Sequence, residues 1–279
     1  MRLALAAALA SLLALGAARA PAARGADAFP WKSPDEVLSI MEKQKCAGVF
    51  YFDVAGEQAA TSLSWQFTQP AVVEVIQKLK LPCCKIDGGS GNSGAKGGKG
   101  GKRGGGGGGA TKPASWGSYD GLARELGVGK STMLVVAAFD KMVLTRCSEV
   151  IKRIDFEQRL ADAAAANTAR AKLADESARD LAQAEKWVEA KRYGDATRRV
   201  AMLIDRDEKI PKALIEKAKD LDGKLDEIGR DRLAEGKRLL DAGKHDEAAA
   251  ILEDTANAFA KYDSGKEAKE LLKKAKKAA

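Results

Sequence analysis

Runs of β-forming residues in this chain lie between Ala47 and Leu144, whereas from Phe156 onward alanine, leucine, lysine and glutamate dominate and apolar residues recur at helical spacing. That asymmetry calls for a sheet-containing unit followed by an all-helical one, and 279 residues suffice for two modest domains. With 45% hydrophobic residues but only 5% aromatic, alanine and leucine must be the main core filler. The 47 basic and 39 acidic side chains leave a formal charge of +8, an excess of cation on an acid-rich chain that solvated helical faces largely explain.

The first 28 residues stand apart. Arg2 precedes a short Ala/Leu run from Leu3 to Leu15, and small-residue sites follow at Ala18-Arg19-Ala20 and Ala26-Asp27-Ala28. This is the pattern of a secretory signal peptide. An uncleaved anchor is the competing reading, but the run falls short of the roughly 20 apolar residues a spanning helix needs. Residues 1–28 are set aside, and the mature chain is expected in the periplasm or outside the cell. Export gives weight to the four cysteines, because disulfides persist in oxidising compartments and four thiols permit three complete pairings.

Residues 29–160 alternate between the two periods. Ser33-Pro34-Asp35-Glu36 opens a helix with an N-cap, a proline at the first helical position and acids in the first turn. Residues 47–52 form a buried-type strand, 70–79 an amphipathic helix, 81–86 a second strand and 122–126 a short helix ended by Gly127. Residues 133–139 and 142–144 make a hairpin around Asp140-Lys141. A right-handed crossover between the first two strands and a tight turn between the last two predict a mixed sheet of four to five strands with helices on its faces.

This α/β order resembles the thioredoxin-like superfamily, carried by Val49 to Phe52, by Trp65-Gln66-Phe67-Thr68-Gln69-Pro70-Ala71-Val72, by Lys85-Ile86-Asp87 and by Leu126-Gly127-Val128 before the hairpin. The resemblance implies a Cys-x-x-Cys at Gly56 to Ala59 and a cis-proline at Thr132, and this chain carries neither. A thiolate is the nucleophile of disulfide exchange, so the family's chemistry has no attacking atom at its usual place. No cysteine lies anywhere in 54–64.

The redox candidates that remain are Cys46, Cys83, Cys84 and Cys147. Adjacent strand residues point to opposite faces, which disfavours a Cys83–Cys84 bond. Cys46 is expected to contact or bond Cys83 or Cys84, or else to stay a buried free thiol. Cys147 falls at the end of the last strand, toward the pole where the redox pair would stand; a reactive role and that of a small buried hydrophobe are both open.

Three features look more specific than they are. Gly127-Val128-Gly129-Lys130-Ser131-Thr132 suggests a phosphate loop, but Arg124 occupies the place of the leading glycine and a helix precedes where a strand is needed. His245, the single histidine, has no clustered ligand and reads as a helix-start surface residue, so no metal and no cofactor is expected. The insertion 88–112, with Lys96, Lys99, Lys102, Arg103 and Lys112 among glycines, is expected to be disordered. It serves either as a solvated spacer or as a tether to an anionic surface; it lacks the aromatics that single-stranded nucleic acids stack on.

Residues 161–279 contain an internal echo. Trp187-Val188-Glu189-Ala190-Lys191-Arg192-Tyr193-Gly194-Asp195-Ala196 matches Leu239-Leu240-Asp241-Ala242-Gly243-Lys244-His245-Asp246-Glu247-Ala248, each reading as a helical hairpin whose second helix starts near Asp195 or Asp246. The pattern resembles tetratricopeptide-type repeats, although Ala190 and Ala242 are 52 residues apart (242 − 190) rather than about 34. An extended linking helix from Ile210-Pro211 to Gly243, weakened at Gly223 and Gly229, fills the difference; a plain bundle or coiled coil is the alternative. Trp187 and Tyr193 are the binding candidates here, and a last helix bearing Leu271 and Leu272 closes the stack. The expectation is an exported, non-catalytic adaptor that binds other proteins. A thiol-disulfide oxidoreductase or redox sensor using the non-standard cysteines, and a polyanion- or envelope-binding protein acting through the Gly/Lys loop, are the alternatives. No nucleotide is expected.

Overall fold

The computed structural model describes residues 29–88, 117–129 and 131–278. The expected signal peptide and the basic residues of the 88–112 insertion lie outside them. Helix α1 (Pro34–Gln44) starts at a reciprocal capping box: Glu36 N–H donates to Ser33 Oγ at 3.3 Å, and Ser33 N–H donates to the Glu36 carboxylate at 2.9 Å. There follow β1 (Gly48–Val54), α2 (Gln58–Gln66), α3 (Pro70–Lys78), β2 (Cys83–Gly88), α4 (Asp120–Glu125), β3 (Met133–Ala137) and β4 (Val143–Cys147). Helix α2 escapes the periodicity of the sequence. Only Ala60, Leu63 and Gln66 of its nine residues are buried, too thin an apolar stripe to register.

The four strands form one mixed sheet in the order β2-β1-β3-β4. β1 runs parallel to β2 and antiparallel to β3, which pairs antiparallel with β4. Alternation along each strand sends two apolar sets to opposite faces. Val49, Tyr51, Cys83, Leu134 and Val136 meet Leu63, Phe67, Val72 and Ile76 on one side. Phe50, Phe52, Cys84, Ile86 and Val135 meet Val37 and Met41 of α1 with Leu122 and Leu126 on the other. Burial on both faces explains why Val49 to Phe52 is a continuous apolar run rather than an alternating one.

The C-terminal half is all helix: α5 (Arg153–Glu189), α6 (Tyr193–Ile204), α7 (Lys212–Asp241), α8 (His245–Ala258) and α9 (Asp263–Ala278). The echoed segments are two hairpin corners, with α6 starting at Tyr193 and α8 at His245. Gly223 and Gly229 do not interrupt α7. Leu271 and Leu272 of α9 pack against the cluster of Leu233, Leu239, Ala248 and Leu252.

No break separates the halves at 160/161, because that point falls inside the 37-residue α5. Its first turns bury Phe156 and Leu160 against the sheet, and its last turns bury Leu181 and Ala184 against α6 and α7. Between them, buried Arg170 binds the Asp140 carboxylate at 2.6 Å and donates to the carbonyls of Glu208 at 2.8 Å and Ile210 at 3.0 Å. One turn earlier, Asn167 accepts from Phe139 N–H at 2.9 Å and donates to Lys45 O at 2.8 Å. The β3–β4 turn is thereby locked to the helical arm through hydrogen bonds with a fixed geometry.

Candidate functional site

The carboxyl end of β1 is where the resemblance locates its chemistry. Gly56 turns the chain at φ +91°, a conformation glycine adopts at little cost, although a Cβ there would meet nothing within 4 Å. Glu57 is the N-cap of α2 but makes no capping bond, because its carboxylate reaches across to Thr132 and accepts that N–H at 2.6 Å. Thr132 is fully buried, and its Oγ1 accepts Val54 N–H at 3.0 Å. Of the expected redox positions, Gly56 thus belongs to a turn stapled to Thr132 through Glu57, and Ala59 to the first turn of α2. A proline at 132 would have no N–H to hold Glu57.

Beside this turn lie Tyr51 and an ion cluster on the same face of the sheet. Lys85 Nζ sits 2.7 Å from Asp53 and 3.2 Å from Asp87, and 5.8 Å from the Tyr51 ring centroid. The Tyr51 hydroxyl donates to Ala60 O at 2.9 Å and is 2.9 Å from Ser64 Oγ. Burial pushes its pKa up to about 12. The phenol is therefore a neutral anchor for α2 rather than a base.

All four cysteines are free. Cys83 and Cys84 sit in opposite-face cores, and Cys46 packs on the Cys84 side without bonding to it. Burial raises every thiol: Cys84 to about 12, Cys83 well above the ordinary range, and Cys46 and Cys147 upward as well. Cys147 does end β4 opposite Leu134, two residues from Thr132, but it is 3% exposed and points its thiol at Glu149 O, 3.6 Å away. An unionised, enclosed sulfur is a poor nucleophile.

Among the charged residues this region leaves in water, such as Glu149, Lys152 and Arg153, stand three large apolar ones. Trp65, Val150 and Ile154 are 54%, 62% and 71% exposed. They flank one internal bond, in which fully buried Gln66 donates to Ile151 O at 2.9 Å while its own Oε1 has no partner. Glu57, Gln66 and Ile154 are absent from the expected site. No sequence signal hints at them: Val150, Ile151 and Ile154 stand at i, i+1 and i+4, the spacing of a single buried helical face, whereas α5 begins only at Arg153 and leaves Val150 and Ile154 in water.

The binding candidates of the helical arm are already engaged. Arg192 and Arg199 lie 5.4 and 5.6 Å from the Trp187 ring, and Tyr193 packs 5.6 Å from Phe259 with Arg232 at 5.6 Å on its ring. His245 opens α8 half-buried, its Nδ1 enclosed and unpartnered. Among the described residues, no group of three His, Cys, Asp or Glu could hold a metal ion, and no helix is long and apolar enough to cross a membrane. Comparison with family models, curated proteins and solved structures returns no match for this chain.

Proposed function

We propose that the chain is an exported, non-catalytic adaptor in which a thioredoxin-like domain without its redox pair carries a tetratricopeptide-like helical arm, and that the domain binds a protein partner through the patch of Trp65, Val150 and Ile154. The strand order β2-β1-β3-β4, with a parallel crossover and an antiparallel hairpin, supports the reading of the domain. The two hairpin corners at Lys191-Arg192 and Gly243-Lys244 support that of the arm. Export rests on the residue pattern before Ala28.

The observation that carries the adaptor role is a contrast: three of the large hydrophobics left in water adjoin in sequence the two partners of a buried hydrogen bond, while Cys83, Cys84 and Cys147 are buried. Clustered apolar exposure on a folded surface marks interaction sites, and aromatic anchors dominate their energetics. Co-purification of the mature chain with partners from an exported fraction tests it. The variant Trp65→Ser/Ile154→Ser should lose the specifically retained protein while keeping its melting temperature and circular dichroism. Retention unchanged by the double substitution, or insulin reduction by the purified protein, defeats the proposal.

A further inference from the structure

At the pole of the sheet opposite Gly56, the chain before α1, the C-terminal part of α1 and the end of α3 enclose a groove of about 440 Å³. Its floor is made by Ile76, Leu81 and Cys83, all buried, and its walls by Phe29, Ile40 and Val73, all half-buried. The local sequence explains the opening. Lys80 takes a left-handed φ of 53° after α3, so the chain turns sharply through Leu81-Pro82 into β2 and leaves the end of α3 apart from α1. Phe29 does not fill the gap, because its ring is held sideways against Trp31 at 4.5 Å and Phe67 at 5.1 Å.

The polar residues of this groove carry one sign of charge. Lys32 and Lys80 line it and are exposed, and no aspartate or glutamate does. Neither lysine makes an ion pair with a described residue. Glu36 does feel the charge of Lys32, but its carboxylate is already taken by Ser33, from N–H at 2.9 Å and Oγ at 3.0 Å. Gln44 and Gln77 supply the remaining polar lining.

We propose that this groove binds a single-chain anionic amphiphile, a medium-chain carboxylate whose alkyl tail lies over Ile76 and Leu81 and whose head meets Lys32 and Lys80. The volume lies within the range of about 300–1,000 Å³ found for small-molecule sites. At about 30 Å³ for a water-sized group it admits a tail of roughly a dozen carbons. The surface around Trp65 is separate from it, so the two proposals stand or fall independently.

Titration of the full chain with octanoate, decanoate, dodecanoate and tetradecanoate, below their micelle concentrations, tests the site by calorimetry. Affinity should rise about fourfold per added methylene and level off near twelve carbons. Dodecyltrimethylammonium should bind at least tenfold more weakly than dodecanoate. Val73→Trp, which fills the groove from a half-exposed position, should abolish binding. Lys32→Glu/Lys80→Glu should invert the preference for the head group, with the melting temperature of both variants unchanged. Equal binding of cationic and anionic heads, no saturable binding by any chain, or full affinity in Val73→Trp would overturn the proposal. So would sedimentation with phosphatidylglycerol vesicles without binding of free carboxylate, which would assign the lysines to a membrane surface.

Discussion

The sheet half hides Phe50, Tyr51 and Phe52 at consecutive positions of one strand, each fully buried, whereas the helical half closes around Ala184, Ala196, Ala218, Ala248 and Ala268. In the first, large side chains fill the space between elements. In the second, small residues let backbones approach: a Cβ on Gly229 would lie 3.0 Å from the Phe259 ring, and one on Gly265 would run into the Phe259 carbonyl oxygen. The halves should therefore respond to opposite insults, the sheet to shaving its core and the arm to thickening it. Polar groups divide the same way. The arm carries its ion pairs, such as Arg192 with Asp195 and Lys244 with Glu247, at its surface, where each contributes little. The most buried pair among the described residues, Arg170 with Asp140, lies on the seam.

Breaking the seam should have the largest effect. Arg170→Ala strands a carboxylate that is 14% exposed and frees two carbonyls, for a loss of about 3–5 kcal/mol. Urea unfolding followed by tryptophan fluorescence and by helical circular dichroism should then give two separated transitions in place of one. Coincident transitions would show that α5 alone couples the halves. Phe52→Ala should cost a similar amount, about 3–5 kcal/mol, and lower the sheet transition selectively.

Next in size, Gly265→Ala should destabilise the arm by about 1–3 kcal/mol, because the new methyl meets backbone that cannot rotate away. The same change at Gly223, exposed and with nothing within 4 Å of its Cβ, should instead stabilise α7 by about 0.5–1 kcal/mol through helix propensity. Thermal melts of the two variants check the opposite signs. If both moved alike, close backbone approach would not be what shapes the arm.

The smallest effect at neutral pH is the most direct test of the enclosed thiols. In native protein at pH 8, Cys83, Cys84 and Cys147 should react with a disulfide reagent only as fast as the chain unfolds, with half-buried Cys46 the one thiol open to faster reaction, and denatured protein should give four equivalents. Since Cys84 is raised from 9.0 to about 12 in the fold, the unfolded chain loses its proton first. The stabilisation is complete below pH 9 and declines as pH climbs from 9 toward 12. Tyr51, raised from 10.0 to about 12, adds to the decline above pH 10. Stability that rises across this window would mean ionised thiols in the native state.

The elements with a strong period were legible from residue order. The helix start at Ser33, the run Val49 to Phe52, the hairpin around Asp140 and the recurrent corners before α6 and α8 all stand where patterning puts them. Local physics suffices there, because caps, turns and amphipathic faces involve residues a few positions apart. Helix α2 was not legible, since its burial comes from Tyr51 and Ala60 meeting across the crossover rather than from its own periodicity. The absence of a thiol between 54 and 64 also needed no coordinates.

Contacts distant in sequence required the tertiary structure. Glu57 and Thr132 are 75 positions apart, and Arg170 meets Asp140 and Ile210 from 30 and 40 positions away. Composition and spacing determined that this chain has a sheet half without a redox pair and a helical half of paired helices. Only folding decided that Thr132 uses the N–H a proline would lack, that Gln66 and Ile151 sit beneath exposed Trp65, and that two lysines flank one apolar groove. Each of these depends on which side chain the packed backbone brings within hydrogen-bond or van der Waals range, and no periodicity encodes that distance.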